Sequence, residues 1–344
     1  MSTGGNNVTF ERVFIVAKKE FVGNITSKKF FLLLILFSII VGIGAFDGIS
    51  EYYNVLDEYK SGSSDVYLIP PTPVIVFGSI TENLGYYGFG AIIAIAIGFN
   101  LISGERESGS LKSLLSHPVY RDEIINGKAI GGIISLLFAE TIVFAIVIAL
   151  MLINGIVPDL NSFGKICVVG FLVLLFLIAN FSLALMSSAI CKSSSGALII
   201  SLSILFIFSY LVPVAGLEVS GYLILGDEPK TIYVNDISSM SAGEIQYFQD
   251  AKLDYMNKKI DLQEILSVFS IQRVFSGIVE PFTRTSSYLF TMEMNGGDSL
   301  SVLENEPSTF EILESIWTKL FALVMFPAIF FGIAYVKFMR MDLR

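Results

Sequence analysis

Histidine, cysteine and tryptophan are nearly absent from this chain. His117 is the single histidine, Cys167 and Cys191 are the only cysteines, and Trp317 is the lone tryptophan. One histidine excludes a histidine-rich metal site and the paired-histidine motif HExxH within one copy. Two cysteines, each near the boundary of an apolar run, supply neither a disulfide framework nor a cysteine-rich metal site. A GxxxxGK[ST] phosphate cradle is missing too, so the chain lacks ATPase motifs of its own. NGKAIGG, residues 126–132, contains a Gly-Lys pair but neither the upstream glycine loop nor the hydroxyl residue after the lysine. It reads as a small-residue entrance to a helix. Without paired aspartates or a serine–histidine arrangement, an intramembrane enzyme is disfavoured, and nothing points to nucleic acid. The polar start, MSTGGNNVTFER, lacks the basic start and cleavage site of a secretory signal peptide. No internal repeat is visible.

Apolar sequence is plentiful instead. Of 344 residues, 53% are hydrophobic and only 15% charged. The mean hydropathy is +0.71, too high for a soluble protein with an ordinary polar surface. Six runs are long enough for helices that cross hydrocarbon: 30–46, 85–103, 129–153, 164–190, 196–216 and 320–336. Lipid-facing backbone must satisfy its own hydrogen bonds, which favours helices, and the short alternating segments of a β-barrel are not seen. The expected fold class is an all-α polytopic membrane protein. It has six transmembrane helices, an N-terminal interfacial helix and a large extracellular insertion between spans five and six.

Charge sets the expected orientation. Segments 1–29, 104–128, 191–195 and 337–344 hold 13 of the 22 Lys and Arg against seven acids. The other polar segments hold nine basic and 23 acidic residues. Basic short segments stay cytoplasmic, so both termini are expected in the cytoplasm of a multi-pass cell-membrane protein.

The polar segments divide the chain. Residues 8–27 carry Phe10, Val13, Phe14, Ala17, Phe21 and Ile25 at helical spacing, which predicts a cytoplasmic interfacial amphipathic helix. Residues 28–216 hold spans one to five. The first outer loop, 47–84, contains PPTP at 70–73 and is expected to be extended there. Residues 217–318 form an extracellular, mainly helical module. In it Leu262, Ile265, Leu266 and Phe269 make one stripe, and Ile271, Phe275, Ile278 and Val279 an apolar stretch that fits an interfacial or re-entrant helix, or packing within the module. Tyr288, Phe290 and Trp317 suit an interface. Residues 319–344 complete span six and a cytoplasmic tail.

The most informative stretch is LISGERESGSLKSLLSHPVYRDEIINGK, residues 101–128, with four basic and four acidic side chains between two apolar runs. Ser110 suits a helix cap, the His-Pro bond a helix end, and Asp122 and Glu123 the first turn of the next helix. A short helix bridging two spans follows, and it fits either a docking element or a helical loop resting on headgroups. The stretch resembles the first cytoplasmic loop of permease subunits of the ABC-2 type transporter family, which reads E-R-E-x-G-T-L-K-x-L-L-x-x-P-V-S-R-x-E before Gly-Lys. Glu105, Arg106, Glu107, Gly109, Leu111, Lys112, Leu114, Leu115, Pro118 and Arg121 match, with Val119, Glu123, Gly127 and Lys128. Ser110 and Tyr120 depart from the pattern, as does the long segment before span six, where EPFTRTSSYLF is a loose echo of the family's Ser-Pro motif. The resemblance implies that loop 104–128 docks on a separate ABC-type ATP-binding subunit. The unit would hold two membrane subunits, a homodimer or a pair with a related permease, and two ATPases. No cofactor is expected on this chain, with ATP and Mg on the partner, and membrane lipid surrounds it. Glu107 and Arg121 are candidate docking charges, Leu111 and Leu115 packing knobs, and Arg106 fits a local pair equally well.

Glu140 lies within span three, where a carboxylate is costly unless paired, wet or protonated. Glu140 and Asn180 are candidates for a translocation path, and the same residues also fit a protonated internal contact. An ATP-driven exporter's permease subunit is the leading expectation. The alternative is a non-transporting membrane protein whose extracellular module binds a partner or ligand. A secondary transporter is a third reading, although one Glu and few intramembrane charges give it a thin ion-coupling site.

Overall fold

The computed structural model describes residues 3–62, 70–111, 120–226, 242–284 and 309–341, and every regular element among them is helical. In chain order these are α1 (Thr3–Ile25), α2 (Lys28–Ser61), α3 (Val76–Thr81), α4 (Phe89–Gly98) and α5 (Ser103–Glu107). There follow α6 (Arg121–Ile153), α7 (Leu160–Ile190), α8 (Ser194–Phe206), α9 (Val212–Leu225), α10 (Ala242–Ser267), α11 (Ile271–Thr283) and α12 (Thr309–Met339). Six of the resulting rods are long and apolar enough to cross a membrane: α2, α4 with α5, α6, α7, α8 with α9, and α12. The chain is a multi-pass, all-α membrane protein.

Local chemistry fixes the helix ends. The Ser27 hydroxyl accepts from the Phe30 N–H at 3.1 Å to start α2, supplying a partner that the first turn lacks. Asp159 does the same for α7 through the Ser162 N–H at 3.2 Å. Hydrogen bonds from Ser162 hold the Asp159 carboxyl below the usual carboxylate range. Ser193 and Ser270 cap α8 and α11.

Helix α7 is the axis of the bundle. Phe176, Leu177, Phe181 and Leu185 are buried on it, and α4, α6, α11 and α12 pack around it. Gly132 of α6 admits the Phe181 ring, because a Cβ there would stand 2.2 Å from it. Near the other end of the pair, the Phe144 ring lies 3.2 Å from where a Gly170 Cβ would be. These two contacts set α6 and α7 antiparallel.

Outside residues 63–69, the region expected as an outer loop is folded. Helix α2 runs on to Ser61, because Glu51, Asp57 and Glu58 end the apolar signal without interrupting the backbone ladder. Pro73 then opens a single 3-10 turn, a first-turn position where its missing N–H costs nothing. The expected extended PPTP therefore ends in a helix start. Helix α3 lies against α2 at Gly48 and Gly44, where any Cβ would collide with the backbone of Val76 and Ile80. A π turn at Glu82–Tyr86 and the left-handed Gly88 (φ 77°) join α3 to α4. The membrane-crossing part of span two therefore starts at Phe89, a few residues after the expected 85, and runs to Glu107.

Helix α11 meets the line of α10 at 112°. Its apolar face, Ile271, Val274, Phe275, Ile278, Val279 and Phe282, is buried, and Phe275 stacks on Phe176 with ring centroids 4.4 Å apart. Ser209 donates to the Gln272 amide oxygen. The stretch packs against the bundle helices α7 and α12 rather than within the outer module, and its sharp bend from α10 fits the re-entrant reading. Tyr288 and Phe290 lie outside the described residues.

Candidate functional site at the loop end

The start of α6 is where the two termini of the bundle and the 104–128 segment meet, here called the loop end. Lys128 is its centre. Its ammonium donates to Glu20 of α1 and to Glu105 of α5, both at 2.7 Å, with the lysine side chain 1% exposed. An uncompensated ammonium at such a depth would be strongly destabilising, so the cluster makes three elements interdependent.

Small residues let α1 reach it. Gly127 and Gly131 face Val16, Ala17 and Glu20 so closely that an added Cβ would stand 2.6–2.7 Å from them. One turn further, the Asn24 amide donates to Ser135 at 3.2 Å. Gly127, Gly131 and Ser135 form a small-residue strip spaced by four, the pattern that allows close helix approach. The buried side of α1 therefore includes Val16, Ala17, Glu20 and Asn24, while Phe14 of the expected stripe is exposed.

The loop is tied to the remaining spans by single contacts. The Ser188 hydroxyl of α7 accepts from the N–H groups of Ile102 and Ser103, each at 3.0 Å, where the second span breaks before α5. Glu107 accepts from the Ser194 N–H at 3.1 Å, at the opening turn of α8. Arg121 donates to the carbonyls of Met339 and Met341 at 3.1 and 2.7 Å, closing the end of α12. Glu123 accepts from the Tyr120 N–H at 2.9 Å, and Arg12 stands 3.8 Å from its other oxygen.

The expected docking residues separate into groups. Glu105, Glu107 and Arg121 are engaged within the chain, and Leu111 is buried in its core. Arg106 has no local ion pair among the described residues and lines a cavity instead. Gly109 holds φ 75°, a left-handed turn that ends α5. Ser108 and Ser110 are exposed beside it. Lys112, Leu114, Leu115 and Pro118 lie outside the described residues. Sequence reasoning places Lys128 only in the family's Gly-Lys pattern and gives neither it nor Glu20 a role in the site. A lone lysine at the mouth of an apolar helix, flanked by glycines, was the available signal.

Glu140 and Asn180 are both buried, and neither Glu140 oxygen nor the Asn180 amide oxygen has a hydrogen-bond partner in the described structure. Asn180 donates to the Phe176 carbonyl of its own helix. The α6–α7 register puts Asn180 near the level of Gly132, about two helical turns from Glu140. The structure does not bring them together.

No curated protein matches the chain. The family model of the ABC-2 family transporter proteins matches residues 14–343, almost the whole length, and the chain belongs to that family, as a membrane-spanning permease of ABC transporters.

Proposed function

We propose that this permease is the membrane subunit of an ATP-driven exporter, coupled through residues 104–128 to a separate ATP-binding subunit that holds ATP and Mg. Two membrane chains, identical or related, would work with two ATPases in the cell membrane, with both termini cytoplasmic.

One observation carries the reading. The five-residue helix α5 and its neighbours contact α1 and four of the spans. Lys128 joins it to α1 and α6, Ser188 to α7, and Glu107 to α8, while Arg121 joins the loop's far end to α12. A partner that displaced the exposed Ser108–Ser110 rim would move four spans through contacts already made. ATP can drive that motion only by making the partner bind one arrangement better than the other. Glu140 and Asn180, polar groups inside the bundle, are the proposed points of contact along the path.

The test is a pull-down from native membranes in mild detergent, with co-purified ATP hydrolysis as readout. The wild type is expected to bring down an ATPase. Ser110→Arg combined with Leu115→Glu should lose it while the thermal unfolding of the membrane chain is unchanged. Recovery of the chain alone, without hydrolysis, would favour the alternative of a membrane protein whose 217–318 module binds a partner.

A further inference from the structure

A second feature of the loop end stands apart from the coupling contacts. Arg106 of α5, Lys192 of the α7–α8 turn, and Lys337 and Arg340 at the end of α12 line one cavity of about 950 Å³. No carboxylate is among its described lining residues. None of the four cations has an ion pair or a side-chain hydrogen bond to another described residue. The rest of the lining is almost wholly apolar, with Ile190 on one side and the α12 face from Ala328 to Val336 on the other. Ile329, Ile333 and Val336 of that face are exposed. Gly332 lies among them with nothing within 4 Å of where a Cβ would stand, so the wall is a groove.

Cytoplasmic charge bias explains how many lysines and arginines a short segment carries, not why three separate segments share one volume. The chain carries nine more acids than bases, yet among the described residues none lines this cavity. Four like charges around a shared space repel one another, and an anion among them relieves that cost. Arginine offers a phosphate a bidentate fork and lysine a point charge. The adjoining groove runs along a membrane-facing helix, which an acyl chain fits and a soluble anion would leave empty. Basic pockets between spanning helices are suited to anionic headgroups.

We propose that this cavity binds an anionic phospholipid drawn from the adjacent leaflet. Its phosphate sits among Arg106, Lys192, Lys337 and Arg340, and its acyl chains lie along Ile329, Ile333 and Val336. The lipid would bridge α5, the α7–α8 turn and α12. The proposal does not depend on the identity of any ATPase.

Native mass spectrometry of the intact, delipidated chain tests it, with phosphatidylglycerol, phosphatidylcholine and inorganic phosphate as probes. The wild type is expected to retain phosphatidylglycerol in clear preference to phosphatidylcholine, and millimolar inorganic phosphate should not displace it. Lys192→Gln, Lys337→Gln and Arg340→Gln together should weaken that retention by about fivefold per cation, on the order of a hundredfold in all. Lys192→Arg with Lys337→Arg should keep it. Gly332→Phe, which fills the groove and leaves every charge in place, should also reduce it, and this variant decides the matter if the triple variant fails to fold. Equal retention of the two lipids, retention unchanged in the triple variant or in Gly332→Phe, or ready displacement by inorganic phosphate would each overturn the proposal. The last would identify a soluble-anion site.

Discussion

The two ends of the bundle are each fastened by one cation and two carboxylates, yet the fastenings differ in kind. At the loop end Lys128 bonds Glu20 and Glu105, with side chains 1%, 13% and 22% exposed. At the opposite end Arg284, just past α11, pairs with Glu82 at 2.9 Å and with Glu51 at 3.6 Å, and all three side chains are about a third exposed. Removing water from a charge makes its partner indispensable, whereas partly hydrated pairs contribute little and weaken with salt. The loop end is therefore built to keep its geometry, and the other end to exchange it cheaply. That contrast is consistent with the proposed coupling at the loop end.

The contrast can be broken most forcefully at Lys128. Lys128→Met strands two carboxylates near the bundle interior and should cost about 3–5 kcal/mol, seen as a large fall in thermal stability in detergent. Adding Glu20→Gln and Glu105→Gln to the same chain should recover much of the loss. No recovery would mean that the lysine acts through packing rather than charge. Arg121→Ala removes two charge-assisted bonds to the end of α12 and should cost roughly 1.5–3 kcal/mol. Faster hydrogen exchange at the last turn of α12 is the specific sign to look for. Gly109→Ala forces a side chain into a left-handed turn that has ample space, so only the backbone term, about 1–2 kcal/mol, is expected. The smallest effect belongs to the opposite end. Arg284→Gln should change stability by less than about 1 kcal/mol and lose even that at high salt. An effect as large as that of Lys128→Met would erase the distinction between the two ends.

The spans were legible because hydropathy is a local property: five of the expected runs fall within single continuous rods. Span two was the exception: it starts at Phe89, after a π turn and Gly88 joint that depend on how α3 nests against Gly44 and Gly48 of α2, a contact no local pattern encodes. The loop was recognisable by its residue pattern, but the direction of its side chains was not. Glu107, Arg121 and Leu111 all suited an outward role by type, and each is engaged inward because a neighbouring helix end or core surface lies within reach. The buried role of Lys128 is not legible for the same reason, since its two partners are 108 and 23 residues away.

The α1–α6 contact also orders events during synthesis. Glu20 and Asn24 leave the ribosome more than a hundred residues ahead of Lys128 and Ser135. Until the third span is threaded into the bilayer, the first helix has no docking strip and its carboxylate no counterion. The N-terminal helix must then wait at the membrane surface, undocked, while two spans insert beside it. A chain whose third span is delayed or mis-oriented would expose that helix to the cell's proteases, so its protection reports whether the first half of the bundle has been assembled correctly.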